Sequence, residues 1–262
     1  MIPQAAITQW RNTVPWSDMH QVEQDLILSR ALVAIYSDEF LASSLAFRGG
    51  TALHKLYLSP QPRYSEDLDF VQVRAEPIRP VLDRLRDVLA FLGEPSVKQK
   101  RNNNTMLMSF ETTFAPVVNL RIKIEINCRE HFTVLDWTSL PFSVDSLWFN
   151  GDCDILTYQL EELIGTKIRA LYQRKKGRDL FDLVYTHDAA DLDAVQAIEC
   201  YKRYMSFQGN HLPTAREFML NLEAKMEDRT FKDDVYPMLR AGIEYDIDEA
   251  FQKVSDTFVV LM

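Results

Sequence analysis

The spacing of hydrophobic and polar positions changes several times along the first part of the chain, which predicts alternating helices and strands. Residues 17–37, SDMHQVEQDLILSRALVAIYS, carry apolar residues at helical spacing, which predicts a helix capped by Ser17. The apolar run SLAF at 44–47 predicts a strand, and TALHKLYL at 51–58 predicts a helix. LDFVQV at 68–73 alternates and is rich in β-forming residues, which predicts a second strand.

A helix and three strands are predicted next. Residues 77–93, PIRPVLDRLRDVLAFLG, place proline near a helix start and glycine at its stop. Three β-like segments follow: SVKQKR at 96–101, TMLMSFET at 105–112 and NLRIKIEIN at 119–127. The three asparagines at 102–104 predict a hairpin turn, because asparagine tolerates left-handed backbone.

The pattern becomes helical after about residue 150. Five helical patterns are present, at residues 157–174, 178–187, 192–207, 213–228 and 246–262. We therefore predict an α+β domain with a mixed sheet at residues 1–150, joined near FNGDCD to a helical domain at 151–262.

Composition narrows the class of protein. The chain has 47% hydrophobic and 26% charged residues, which favours a packed core over disorder. We find no apolar run near the roughly 20 residues that cross a bilayer, and no signal-peptide pattern. Three widely spaced cysteines are typical of reduced thiols in a cytoplasmic protein. A formal charge of −9 opposes non-specific binding to long nucleic acid.

The stretch FRGGTALHKLYLSPQPRYSEDLDF, residues 47–70, holds the candidate chemistry. Without a Cβ, Gly49 and Gly50 let backbone N–H groups approach a phosphate, and a helix from Thr51 directs its positive end there. A tight strand-to-helix turn also explains two glycines. Asp67 and Asp69 lie on one face of an extended strand. Close carboxylates repel unless a cation lies between them, and such oxygen ligands suit Mg²⁺ or Mn²⁺. Most isolated D-x-D pairs are solvated surface charges.

Together these motifs carry a resemblance. GGTALHKLYL…RYSEDLDF resembles the signature of the AbiEii-type nucleotidyltransferases, toxins of bacterial abortive-infection toxin–antitoxin pairs within the DNA polymerase β-like superfamily. EELIGTKIRALYQRKKGRDLFDL resembles the second half of that family, a lysine on one helix followed by an R-D-x-x-D helix. The resemblance covers about residues 45–185. It implies a polymerase β-like fold whose helical domain closes over the active-site cleft.

The resemblance assigns roles to the motif residues. Gly49, Gly50 and Thr51 are expected to hold the triphosphate of an NTP. Asp67 and Asp69 are expected to hold the metal ions, Mg²⁺ or Mn²⁺, that bridge the phosphates and the attacking oxygen.

Two further residues of the first half have two interpretations each. Glu125, on the polar face of IKIEIN, is the candidate third metal ligand; the alternative is a surface ladder with Arg121 and Lys123. Arg63 either contacts a phosphate or pairs with Glu66.

In the helical half, Lys167 lies mid-helix with its stem near the apolar face, and the resemblance makes it a nucleotide-phosphate contact and a catalytic residue. Asp179 lies in a first helical turn, where a carboxylate favours the helix dipole in any case. Asp182 is therefore preferred as the active-site carboxylate, although Arg178 and Asp182 also have the spacing of an ordinary ion pair. A basic cluster is a candidate contact for RNA phosphates or an ordinary solvated helix end; its members are Arg169, Arg174, Lys175, Lys176 and Arg178.

The resulting hypothesis is a metal-dependent transfer of a nucleoside monophosphate from an NTP to an acceptor hydroxyl. The resemblance implies a toxin whose acceptor is an RNA 3′ end, such as that of tRNA, or a protein, and whose partner is a cognate antitoxin. The alternative is a non-catalytic nucleotide- or partner-binding module of the same fold. A third hypothesis is a phosphohydrolase with an aspartate nucleophile. The order of the motifs along the chain argues against it.

Overall fold

The computed structural model describes residues 2–100, 102–209 and 211–262, which form two compact units. The first unit comprises the chain up to Phe132 together with Trp137–Tyr158. The second comprises Thr133–Asp136 and Gln159–Met262. The predicted domain boundary at residue 150 lies at the start of a strand, and the two units divide eight residues later.

A mixed β-sheet forms the first unit. The described residues contribute seven strands: β1 (Leu45–Arg48), β2 (Asp67–Gln72), β3 (Ser96–Gln99), β4 (Asn103–Glu111), β5 (Asn119–Asn127), β6 (Trp137–Asp145) and β7 (Asn150–Tyr158). Their order in the sheet is β3-β4-β5-β2-β1-β7-β6. The α-helices described in this unit are α1 (Gln4–Trp10), α2 (Met19–Tyr36), α3 (Glu39–Ser44), α4 (Gly49–Ala52) and α5 (Arg79–Val88), and α4 continues as a π-helix at Leu53–Tyr57. The mixed sheet flanked by helices confirms the predicted fold class.

Strand register brings the charged residues of three strands to one face. β1 is antiparallel to β2 and places Arg48 opposite Asp69. β5 is parallel to β2 and places Lys123 opposite Asp67 and Glu125 opposite Asp69. Because residues paired across strands point to the same side of a sheet, these five side chains share a surface.

The other face of the same strands forms the core. Leu68 and Phe70, which alternate with the aspartates along β2, are buried as predicted. Ile122, Ile124 and Ile126 are fully buried along β5, again as predicted. Burying these side chains fixes the register, since a slip of one residue would turn the apolar set towards solvent.

Some predicted boundaries require correction. The cap of α2 is Asp18, whose carboxylate accepts the backbone N–H of His20 at 2.8 Å, so the choice of Ser17 was wrong. The helix α5 ends at Val88, and a 3₁₀ turn precedes Gly93, which has a φ of 87°. Asn103 and Asn104 belong to β4 itself, which is antiparallel to β3.

The strands β6 and β7 were not predicted. They form an antiparallel pair at one edge of the sheet, with many exposed side chains and Pro141 inside β6. Proline is tolerated on edge strands because one side of the strand needs no hydrogen-bonding partner. Exposure on both faces removes the hydrophobic alternation by which a strand is usually found.

The second unit is helical. Its described helices are α6 (Leu160–Gln173), α7 (Gly177–Ala189), α8 (Ala194–Met205), α9 (Ala215–Met226), α10 (Arg229–Asp233) and α11 (Ile247–Thr257). Gly165 allows α6 and α8 to pack closely, since a Cβ there would lie 2.6 Å from the Cβ of Cys200. The buried carboxylate of Glu162 anchors the segment 133–136 by accepting the backbone N–H groups of Val134 and Leu135 at 2.8 and 3.0 Å. No helix in the described ranges has the length and apolarity to cross a membrane.

Candidate active site

The turn between β1 and α4 lies directly against an aspartate of β2. Gly49 has a φ of 79°, a conformation that glycine adopts readily and other residues rarely do. A Cβ at Gly49 would lie 2.5 Å from Oδ2 of Asp69. Glycine is therefore needed here both for the backbone conformation and for the space occupied by the Asp69 carboxylate. The predicted proximity of the glycine turn and the Asp pair is present in the structure.

The helical segment after the glycines is attached to the start of β2. The buried hydroxyl of Thr51 donates to the backbone carbonyl of Asp67 at 2.5 Å and lies 2.9 Å from the hydroxyl of Ser65. These bonds hold the glycine turn and β2 in one arrangement. They also occupy the Thr51 hydroxyl within the protein, so its expected contact with a triphosphate stays a prediction, as do those of Gly49 and Gly50.

The two aspartates of β2 differ in their surroundings. Burial and the negative charges of Asp67 and Glu125 raise the pKa of Asp69 to about 6, against the opposing charges of Arg48 and Lys123. The Asp67 carboxylate is partly exposed and accepts a hydrogen bond from Lys123 at 3.2 Å. Burial is the largest cause, and the charges of Arg48 and Lys123 do not offset burial together with the two neighbouring carboxylates.

Lys123 and Glu125 complete the acidic surface on β5. The ammonium of Lys123 lies 2.9 Å from Glu125 and 3.2 Å from Asp67. Burial alone would lower the pKa of Lys123, but its bonds to Glu125 and Asp67 outweigh burial and raise it. The other oxygen of Glu125 accepts from Asn103 and Thr105 on β4, at 3.4 and 3.5 Å. Glu125 thus lies next to the Asp pair and also contacts Lys123, as its alternative interpretation proposed; its role as a metal ligand stays a prediction.

Arg48 is a neighbour of the site that the sequence analysis missed. It immediately precedes the glycines, and its guanidinium donates to the buried carboxylate of Glu130 at 3.0 Å. Glu130 also accepts from the side chain of Asn127 at 3.0 Å. The position of Arg48 in FRGG was the available signal, but its pairing with Asp69 depends on the register of β1 against β2.

Two cations near the motif are buried within the protein. Arg63 is 2% exposed and donates to the backbone carbonyl of Tyr64 at 2.9 Å. The ammonium of Lys55 lies 2.9 Å from the buried carboxylate of Asp25 and 3.1 Å from the hydroxyl of Ser29. Lys55 therefore ties the segment after the glycines to α2. A phosphate contact of Arg63 stays a prediction.

The predicted residues of the helical unit form a buried ion-pair network. The ammonium of Lys167 lies 3.0 Å from Asp179 and 2.7 Å from Asp182, and both carboxylates are fully buried. Arg174 donates to both oxygens of Asp179, at 2.7 and 2.8 Å. Burial alone would raise the pKa of Asp179, but Lys167 and Arg174 outweigh burial and hold it below its usual range. The structure brings these residues together; their catalytic roles stay predictions.

The basic cluster of the helical unit is largely compensated by acidic residues. Lys175 pairs with Asp228, and Lys176 lies 3.6 Å from Asp234. The Nε of Arg178 lies 4.0 Å from the same aspartate. This arrangement reduces the positive potential expected from the sequence and favours its interpretation as a solvated helix end.

The donor set at β2 fits a hard divalent cation. Asp67 and Asp69 offer carboxylate oxygens on one face, and Mg²⁺ commonly uses one or two protein carboxylates together with water and substrate phosphates. The carboxylates that surround Asp69 and the adjacent glycine turn agree with a cation and a phosphate at this position. Within the described residues no group of three or more His, Cys, Asp or Glu side chains is arranged around one metal position. The fit therefore rests on two carboxylates.

The model of one protein family, the nucleotidyl transferase AbiEii toxin family of type IV toxin–antitoxin systems, matches residues 30–253. The chain belongs to the AbiEii nucleotidyltransferase toxin family. The match includes the glycine turn, the Asp pair and the Lys167 network, and it confirms the family that the motifs indicated. No curated protein matches the chain by sequence.

Solved structures agree with this membership at the level of the fold. The nucleotidyltransferase toxin MenT4 of Mycobacterium tuberculosis H37Rv superimposes with a TM-score of 0.68 at 15% identity, over 100% of this chain and 90% of that one. JHP933 from Helicobacter pylori gives a TM-score of 0.58 at 17% identity, over 93% and 92% of the two chains. A putative nucleotidyltransferase from H. pylori gives 0.55 at 17% identity, over 93% and 95%.

Proposed function

We propose that this AbiEii family member is a metal-dependent enzyme that transfers a nucleoside monophosphate from an NTP to an acceptor hydroxyl. In this reaction the acceptor oxygen bonds to the α-phosphorus of the NTP. The bond from that phosphorus to the oxygen bridging to the β-phosphorus breaks, pyrophosphate leaves with that oxygen, and the hydroxyl proton is released. The observation that carries the proposal is the placement of Gly49 directly against Asp69. It puts a turn suited to phosphate beside a carboxylate suited to a cation.

The glycine turn, the Asp pair and Thr51 each have a role in this proposal. The glycine turn lets backbone N–H groups approach the phosphates without obstruction from side chains. Asp67 and Asp69 hold the divalent cation, which when bound neutralises charge on the phosphates and activates the acceptor oxygen. Thr51 keeps the turn and β2 together through its bond to the Asp67 carbonyl. Positioning and electrostatics supply the catalysis, so the reaction needs no histidine base.

The remaining expectations follow from the family. The acceptor is an RNA 3′ end, such as that of tRNA, or a protein hydroxyl, and a cognate antitoxin is the partner. We propose that transfer to this acceptor inhibits growth, and that the reaction takes place in the cytoplasm. Lys167 and Asp182 are proposed to act on the nucleotide, with Asp179 holding Lys167.

A labelling experiment tests the transfer. The purified protein is incubated with each α-³²P-labelled NTP, Mg²⁺, and total bacterial RNA and protein, and the products are resolved by size. Label in one RNA or protein band from one NTP identifies the donor and the acceptor together. Absence of transfer while NTP binding persists favours the non-catalytic binding module, and release of inorganic phosphate instead of pyrophosphate favours a hydrolase.

The chain contains a matched control for the Asp pair. Asp152 and Asp154 form a second D-x-D on β7, and both are exposed. The double variant Asp67→Asn/Asp69→Asn is expected to lose transfer, while Asp152→Asn/Asp154→Asn is expected to retain it. Full transfer by the first double variant would show that the assignment of the cation to β2 is wrong. Melting curves of both variants separate loss of activity from loss of folding.

A further inference from the structure

The ammonium of Lys123 lies within the acidic surface formed by β2 and β5. It lies 3.2 Å from Oδ2 of Asp67 and 2.9 Å from Oε2 of Glu125. The parallel register sets Lys123 opposite Asp67 and Glu125 opposite Asp69, so the ammonium bridges two strands instead of pairing only along its own. A cation shared by Asp67 and a third carboxylate would need this same space.

The net charge of the acidic surface formed by β2 and β5 matches that of a single divalent cation. Asp67, Asp69 and Glu125 contribute three negative charges and Lys123 one positive charge, while the charge of Arg48 is balanced by Glu130, which leaves a net charge of −2. Without Lys123 the net charge would be −3, and a second cation would be needed to approach neutrality. A surface ladder along β5 alone would give only the contact with Glu125, and the register of β5 against β2 adds the contact with Asp67.

Glu125 is oriented towards Lys123 by its other neighbours. Its second carboxylate oxygen accepts weak hydrogen bonds from Asn103 and Thr105, while the first oxygen contacts Lys123. Glu125 therefore contacts β4 through one carboxylate oxygen and the Lys123 ammonium through the other. It is not one member of a preformed three-carboxylate metal position among the described residues.

We propose that Lys123 takes the place of a second metal ion, so that the site uses one divalent cation on Asp67 and Asp69 while Glu125 holds the lysine. This inference rests on the proposed nucleotidyl transfer at the same site. The ammonium supplies a fixed positive charge next to the phosphates whether or not the cation is bound. A lysine bears one charge on a flexible stem, so it neutralises phosphate oxygens without binding a water nucleophile as a metal does.

Counting bound ions tests the proposal without reference to activity. Mn²⁺ alone is titrated into the protein, and the free ion is followed by its electron paramagnetic resonance signal. Wild-type protein is expected to bind one Mn²⁺ at the site and Lys123→Met two, because removing the ammonium opens the space between Asp67 and Glu125. Lys123→Arg keeps the charge and is expected to bind one. Arg121→Met is the matched control, since Arg121 is exposed on the same face of β5, and it is expected to bind one.

The outcomes separate this inference from the proposed function. Two ions in the wild-type protein, or one ion in both wild type and Lys123→Met, overturn the role of Lys123 and leave nucleotidyl transfer intact. No Mn²⁺ binding together with no transfer overturns the proposed function itself. A first-order dependence of transfer on Mg²⁺ in the wild type, changing to a higher order in Lys123→Met, is the expected kinetic result. Lys123 is 35% exposed, so a melting curve checks that Lys123→Met folds.

Discussion

Replacing Gly49 by alanine changes the site through a single methyl group. The backbone at Gly49 has a φ of 79°, and an added Cβ would lie 2.5 Å from Oδ2 and 3.0 Å from the Cβ of Asp69. Gly93 provides a matched control in the same unit, because it has a φ of 87° and its added Cβ would meet no atom within 4 Å. Both variants place an alanine at a positive φ, and only Gly49→Ala displaces Asp69.

The expected magnitudes follow from this difference. A positive φ of this kind costs a residue other than glycine about 1–3 kcal/mol, so both variants should lose stability of that order. Melting temperature falls by about 2–4 °C per kcal/mol in proteins of about this size, which predicts a small decrease for Gly93→Ala. In Gly49→Ala the Asp69 carboxylate must also move. A displacement of about 1 Å at a catalytic group costs roughly 100-fold in rate, and we expect a loss of that order in kcat/KM.

The measurement compares kcat/KM for labelled nucleotide transfer and the affinity for Mn²⁺ in the two variants and the wild type. Gly93→Ala is expected to match the wild type in both, after correction for any unfolded fraction. Gly49→Ala is expected to lose both transfer and Mn²⁺ affinity. Equal activity in the two glycine variants would refute the reasoning, because the contact of Gly49 with Asp69 would then have no functional consequence.

Three further predictions concern the buried ion pairs. Lys167→Met leaves Asp179 and Asp182 buried without the lysine ammonium, so the free energy of unfolding measured in urea should fall by about 3–5 kcal/mol. An unchanged urea midpoint would contradict this expectation. Because the pKa of Asp179 is held below its usual value, its stabilisation is present at neutral pH and is lost as the pH falls through the pKa of the folded state. Melting temperatures between pH 7 and pH 3 should therefore fall less steeply in Asp179→Asn than in the wild type, and parallel curves would speak against this cause. Asp25→Ala leaves Lys55 buried without a carboxylate and should cost about 3–5 kcal/mol, whereas Asp25→Leu/Lys55→Met should recover part of that loss, both measured by urea denaturation.

Local sequence patterns were sufficient to predict the strands and the turn that contain the candidate site. The alternation in β2 and β5 arises from one buried and one exposed face, so it is visible in the chain without knowledge of the fold. The glycine pair and the D-x-D were close enough in sequence to predict a phosphate turn beside a cation site. The closeness of Gly49 and Asp69 agrees with that prediction.

The sequence was less informative where exposure hides the pattern. The edge strand β6 and its neighbour β7 lack a continuous apolar face, and the domain boundary was consequently placed at residue 150. In the helical unit the spacing of Asp179 and Asp182 put both on one helix face, and the helix dipole, a local effect, led to the preference for Asp182. The structure brings both within 3.0 Å of Lys167.

By itself the sequence determined the family, the order of most helices and strands, and the residues that hold the candidate chemistry, because each depends on short-range periodicity and local motifs. Which charges surround the aspartates depends instead on how the strands pair in the folded protein. Arg48 and Lys123 lie on different strands from Asp69, and their proximity follows from antiparallel pairing with β1 and parallel pairing with β5. Strand order and register are set by the burial of the opposite, apolar face, a property of the whole core that no single segment contains.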